Sequence, residues 1–199
     1  MASTPAGPGT AEDTGHGRLI KDAVLMRALA HPARISIVEH LGQVESATAT
    51  ECAEVVGLSP SATSYHLRAL AKVGLVEDAP GRGDGRERAW RTALHGYTVR
   101  TDADADPETK QAERALIETF LTWEETRVRQ ALARIDQEPR EWSEAGFFSE
   151  ASLVMTADEL KRFGDDLQKM VKPYRRRTRT DPPEGARAVT VQLRGFPTD

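Results

Sequence analysis

The chain has 199 residues, one cysteine, a net charge of −4 and a pI near 5.8. That length holds one large domain or two small ones. The lone Cys52 excludes an internal disulfide and fits a reducing compartment, and the acidic balance argues against a chain that coats nucleic acid without selectivity. No apolar run approaches the roughly 18 residues needed to span a bilayer. The N-terminus lacks the basic-then-apolar pattern of a signal peptide, so a cytoplasmic protein with no membrane partner is expected.

Residues 1–17 carry Pro5, Gly7, Pro8, Gly9, Gly15 and Gly17 with few large apolar side chains, the composition of a disordered tail. From Arg18 to Ala30, Leu19, Ile20, Ala23, Val24, Met26 and Leu29 predict a helix with a broad apolar face. His31-Pro32 breaks it, because the residue before a proline avoids the α region. A second helix starts at Pro32 and carries Ile35, Ile37, Val38 and Leu41 before Gly42. Residues 44–49 read as a short strand or an extended linker. Thr48-Ala-Thr-Glu51 has the form of a capping box, opening a short helix that Gly57 closes.

The stretch from Ser59 to Gly74 is the centre of the chain. Ser59 is an N-cap and Pro60 suits the first helical position, where its missing N–H costs nothing. Gly74 suits the left-handed conformation that ends a helix. Thr63, Leu67 and Leu70 share a buried face. Ser61, Ser64, Tyr65, Arg68 and Lys72 share another, which holds hydroxyls, an aromatic ring and two cations but no carboxylate. Such groups suit phosphate oxygens and base edges. A short helix, a turn with glycine and a second helix with a polar face make a helix-turn-helix.

Residues 75–80 and 87–92 are extended runs flanking the glycine-rich turn Gly81–Arg86, hence a hairpin. Its tip carries Arg82 and Arg86, and Arg88 follows on the return strand. From Leu58 to Arg91 there are six cations against four anions, an excess of positive charge within an acidic protein. A helix-turn-helix followed by a basic hairpin is a winged helix. The wing arginines are expected to lie along a nucleic-acid backbone or in a minor groove; the alternative for Gly81–Arg86 is a solvated loop.

The segments Ala28-Leu-Ala-His-Pro-Ala-Arg-Ile35, Leu58-Ser-Pro-Ser-Ala-Thr-Ser-Tyr-His-Leu-Arg-Ala-Leu70 and Gly74-Leu-Val76 resemble the ArsR family of bacterial winged-helix transcription factors. The resemblance covers residues 18–95, about half the chain. It implies a dimeric repressor or activator whose recognition helix enters the major groove of double-stranded DNA, and it makes Ser59, Ser61, Ser64, Tyr65, His66 and Arg68 the DNA-facing residues. His66 stands at the edge of the polar face, where a packed structural role is the alternative. Metal-sensing members carry a Cys-x-Cys in the first helix of the helix-turn-helix or His/Asp clusters on terminal helices. Here that helix has only Cys52, and His16, His31, His40, His66 and His95 form no i, i+4 pair. Neither a metal nor a cofactor is expected, and Cys52 reads as a small core residue.

Residues 99–107 read as an acidic linker, and Asp106-Pro107 as the cap and first residue of a long helix reaching about Glu138, before Pro139. Leu116, Ile117, Phe120, Leu121, Trp123, Val128, Leu132 and Ile135 give it an apolar stripe over 40 Å long at about 1.5 Å per residue. So long a face calls for the first helix plus a partner chain, hence a homodimer, or else a fold back onto the chain's own C-terminal region. In residues 139–199, Ala151–Thr156 and Ala188–Leu193 read as strands flanking a helix that opens with a second capping box, Thr156-Ala-Asp-Glu159. Weak candidates for a small-molecule effector site are Trp123, Trp142, Phe147 and Phe148, with core packing as the alternative. No phosphate loop, nucleophile elbow or metal spacing occurs, so an enzyme is not expected. The basic run Arg175–Arg179 reads as a solvated loop.

The expected fold is mainly α with small β: a winged helix-turn-helix DNA-binding domain at 18–98, a dimerisation helix at 108–138 and a small C-terminal α/β unit. The expected function is sequence-specific transcriptional regulation, as a repressor reading an inverted repeat with the helix at 59–73 and the wing at 75–92. The alternative is a winged-helix protein-interaction module.

Overall fold

Arg18 and Tyr97 lie far apart in sequence, yet the fold begins by pairing them. In this computed structural model, which describes residues 18–80, 88–94, 96–176 and 178–198, strand β1 (Arg18–Ile20) runs parallel to β5 (Tyr97–Val99), with Leu19 opposite Thr98. The single helix expected over Arg18–Ala30 is therefore split. Asp22 breaks it by accepting from Val24 N at 2.7 Å and Leu25 N at 3.1 Å, so that α1 spans only Ala23–Leu29. A partner 79 residues downstream decides the strand, and no local pattern announces it.

Helix α2 (Pro32–Gln43) follows two residues on, after Ala30 and His31. His31 is its N-cap: Nδ1 accepts from Ala33 N at 3.2 Å, and Pro32 occupies the first turn. The helix continues one residue past Gly42. Residues 44–49 resolve into a strand, β2 (Ala47–Thr48), and α3 (Ala49–Val56) begins at once. Helix α4 (Pro60–Lys72) comes next, then β3 (Val76–Asp78) and β4 (Ala89–Thr92). Strands β2, β4 and β3 form an antiparallel sheet in that order, with Ala47 opposite Trp90 and Val76 opposite Thr92.

Helix α5 (Pro107–Leu132) is capped by Asp106, which accepts from Thr109 N at 3.0 Å. At about 1.5 Å per residue it is about 39 Å long. It stops six residues short of the expected Glu138. The chain tightens into a 3-10 turn at Ile135–Gln137, and Glu138 is extended, as a residue before Pro139 must be. The acidic linker is reduced to the turn between β5 and Asp106, where Lys21 Nζ holds Asp102 at 3.0 Å.

One core joins these elements. Ile20, Met26, Leu29, Leu41, Leu67, Leu70, Trp90 and Leu116 belong to a single buried cluster, and α5 reaches it through Ala112 and Leu116 against α1 and α2. Burying each large side chain is worth about 1.5–3 kcal/mol, so α4 is held from behind by Leu67 and Leu70 while its other side stays in solvent.

The C-terminal α/β expectation is not met. Helices α6 (Arg140–Ala145) and α7 (Ala157–Val171) form, the latter with the reciprocal Thr156/Glu159 capping box. Residues 151–156 and 188–193 belong to no strand. A strand needs a neighbour for its backbone groups, and no described segment pairs with either stretch. Val154 is fully exposed, and among the described residues nothing after Leu116 is buried. Residues 187–195 run back along α5 and α6 instead. Arg187 bonds Glu138 at 2.7 Å and lies 4.8 Å over the Trp142 ring, Arg127 bonds Thr190 at 2.8 Å, and Arg194 pairs with Glu124. The far half of α5 thus carries the chain's own tail.

Candidate nucleic-acid interface

Three local devices aim α4. Thr48 Oγ1 accepts from Glu51 N at 3.2 Å while Glu51 returns a carboxylate oxygen to Thr48 N at 2.7 Å, so both orphan amides at the start of α3 are satisfied. Gly57 closes α3 at φ +67°, a left-handed conformation that a side chain disfavours. Ser59 Oγ then accepts from Ala62 N at 3.2 Å, and α4 starts on Pro60. At the far end Gly74 takes φ +69°. Leu75 N reaches Leu70 O at 3.0 Å and Gly74 N reaches Ala71 O at 3.0 Å, the paired closure of a Schellman motif. Arg18 Nη1 adds a bond to Gly74 O at 3.0 Å, tying β1 to the helix end.

Because the helix repeats every 3.6 residues, Thr63, Leu67 and Leu70 turn inward with no exposed surface. The Thr63 hydroxyl is satisfied in the core by Ser59 O at 3.0 Å. Ser61, Tyr65, Arg68 and Lys72 are exposed on the opposite side and Ser64 is half-buried beside them; Tyr65 shows 61% of its surface. The helix contains no carboxylate. These side chains share one surface of α4, and Ser59 stands at its N-terminal edge as a cap.

His66 departs from that grouping. It is only 9% exposed and its ring stacks 4.5 Å from His31. Arg34 Nε donates to His66 Nδ1 at 3.4 Å while Arg34 Nη1 holds Ala28 O at 2.9 Å. Burial, followed by the charges of His31 and Arg34, pushes the His66 pKa below its ordinary value, so the ring is neutral at pH 7. His66 is a packed hinge between α4 and the start of α2, with Tyr65 edge-on to it at 5.6 Å. This also explains the Ala28–Ile35 segment. His31 caps α2, and Arg34 locks the end of α1 and His66 together. The cap is local, whereas the lock on His66 is not visible from spacing because it needs α4 folded against α2.

The hairpin is only partly described. Arg82 and Arg86 lie outside the described residues. Arg88 pairs with both carboxylate oxygens of Asp78, which holds that carboxyl below its usual range, and lies 4.2 Å over the Trp90 ring. Arg91, which the sequence reading did not single out, pairs with Glu77 at 2.8 Å. Both pairs cross between β3 and β4 and are exposed, so these arginines brace the hairpin in the free protein.

The four aromatic effector candidates do not converge. Trp123 donates Nε1 to Ser36 Oγ at 2.7 Å, fastening α5 to α2. Trp142 sits under Arg187, and Phe147 and Phe148 are 81% and 89% exposed, so they line no pocket with it. Arg175 and Arg176 are not a solvated loop; they reach back to α2 and to the turn before β5. Among the described residues no helix is long and apolar enough to cross a membrane, and no three His, Cys, Asp or Glu side chains gather as a metal site.

These features define a helix-turn-helix domain, and residues 29–79 match the family described as "Helix-turn-helix domain". The chain is also similar to the HTH-type transcriptional regulator YgaV of Escherichia coli (strain K12), at 38% identity over 55 residues. That alignment takes in 28% of this chain and spans about half, 56%, of the relative's length.

Proposed function

We propose that the protein is a sequence-specific, DNA-binding transcriptional regulator of the ArsR-like winged-helix type, acting as a homodimeric repressor in the cytoplasm and not as an enzyme. The observation that carries this reading is the outward face of α4. It gathers Ser61, Ser64, Tyr65, Arg68 and Lys72 without a carboxylate on a helix braced from behind by the core. Hydroxyls, an aromatic ring and cations on a protruding helix match the edges and phosphates of a major groove. The similarity of part of the chain to a named transcriptional regulator supports it. The β3–β4 hairpin is the wing.

The dimer rests on α5. Its inward face is used by Ala112, Leu116 and Trp123, and about a third to half a turn away Ile117, Leu121 and Leu132 are 41%, 41% and 59% exposed. A second copy would cover that stripe and set the two α4 helices on half-sites about one helical turn apart. The C-terminal region beyond α5 is the sensing part. Selection of bound sequences from random duplexes, followed by footprinting, tests the reading. The expected product is an imperfect inverted repeat whose affinity falls steeply with salt. Failure to enrich any sequence, with no gel shift even at low salt, favours a protein-interaction module instead.

A further inference from the structure

A cleft of about 460 Å³ opens where the C-terminal end of α2, the end of β4 and the segment after α7 meet. Its size lies in the range of small-ligand pockets, roughly 300–1,000 Å³. The floor is apolar: Leu41 and Leu94 are almost fully buried and Val44 half-buried. The walls are cationic and come from two parts of the chain. Arg91 enters from β4, and Arg175 and Arg176 enter from the tail.

Each wall is fixed in place. Thr92 Oγ1 accepts from Leu94 N at 3.0 Å, which sets the turn leaving β4. The Arg175 guanidinium lies flat on Gly96, where an added Cβ would come within 3.5 Å of its Cζ, and Arg175 Nη2 donates to Gln168 Oε1 at 2.5 Å. Arg176 donates to the carbonyl of Gln43, at the C-terminal end of α2, where a cation suits the helix dipole. A guanidinium has five N–H donors. Arg91 commits Nε to Glu77 and Arg176 commits Nη1 to Gln43. Among the described lining residues Glu45 is the one carboxylate, and with Glu77 it sets two carboxylates against three arginines.

We propose that this cleft binds a small organic acid, a monoanion whose apolar body rests on Leu41, Val44 and Leu94 and whose acid group bridges Arg91 and Arg176. An apolar floor with a few convergent donors is the usual build of a small-ligand site, and planar guanidinium forks match a carboxylate. A ligand there ties the tail to the strand that bears the wing. The site stands apart from the DNA-binding reading, and its test uses no DNA, so either can fail alone.

The test titrates the full chain with 2-naphthoate and with its neutral counterpart 2-naphthamide, followed by ligand-observed NMR. Naphthoate is expected to saturate one site and to bind about ten-fold more tightly than the amide, the size of a charge-assisted bond. Arg91→Gln and Arg176→Gln should each remove most of that preference. Arg179→Gln, whose guanidinium lies over Tyr174, should leave it intact. All three side chains are exposed or partly exposed, so the variants fold, and their melting curves confirm it. Equal affinity for acid and amide, equal losses in Arg179→Gln, or no saturable binding up to about 10 mM would each overturn the proposal.

Discussion

Two adjacent residues of α4 separate binding from folding. Leu67 has no exposed surface and lies in the main core, whereas Arg68 is about 100° further round the helix, in solvent. Leu67→Ala should cost about 2–5 kcal/mol of stability, the lost transfer energy plus the cavity left behind. Arg68→Ala removes no packed side chain, so its effect on stability should stay within about 0.5 kcal/mol. Its effect on operator affinity should be about 1–3 kcal/mol, or roughly 5- to 150-fold at 1.4 kcal/mol per decade. If Arg68 contacts a phosphate rather than a base, the loss is uniform across sequences and the salt slope falls by about 1. Tyr65→Ala belongs with Arg68→Ala. Urea unfolding measures the first quantity, and fluorescence anisotropy on the selected operator at two salt concentrations measures the second. Unchanged operator affinity in both folded polar-face variants would refute the assignment of this face.

Three further outcomes follow from the structure. Thr48→Ala removes one half of the α3 capping box and should lower stability by about 1 kcal/mol in urea melts, with Glu51→Gln costing less because an amide oxygen still accepts from Thr48 N. Cys52 has no exposed surface, and burial followed by the neighbouring charge of Glu51 pushes its thiol up to about 11, so a thiol reagent at pH 8 should label it only at the rate of unfolding. Glu39 lies beneath Tyr97 and Arg127, and its burial outweighs the attraction of Arg127, raising its pKa above 4.5. A carboxyl raised in the folded state favours folding when protonated, and that contribution is lost as pH rises through the folded value. Glu39→Gln should therefore be more stable than the parent at pH 7, with the difference vanishing as pH falls toward 4.5; a less stable variant at pH 7 would show that the Arg127 pair dominates.

The arginine beside Glu39 also anchors the tail. Arg127 faces Glu39 at 3.9 Å on one side and Thr190 on the other, and it lies 4.6 Å over the Trp123 ring. One side chain thus joins the core of the N-terminal domain to the segment that the sequence reading assigned to a separate α/β unit. The fold-back of the chain onto α5, weighed in sequence as the alternative to a partner, occupies the far half of that helix. The exposed stripe of Ile117, Leu121 and Leu132 remains beside it.

What the sequence by itself determined is what forms within four residues. Ser59-Pro60, Asp106-Pro107 and the boxes Thr48/Glu51 and Thr156/Glu159 each start a helix where expected, and Gly57 and Gly74 close theirs at positive φ. Caps and turns are local hydrogen-bond problems solved by neighbouring side chains, and the polar face of α4 follows from the helical repeat alone. Tertiary structure decided everything that needed a distant partner. Residues 18–20 became a strand because Tyr97–Val99 supply the backbone groups to pair with, while 151–156 and 188–193, which read as strands in sequence, stay unpaired because no described strand lies beside them. His66 turned inward because His31 and Arg34 arrive from another helix to receive it. A strand and a buried polar ring are stable only when something non-local satisfies them, and periodicity does not reveal whether that partner exists.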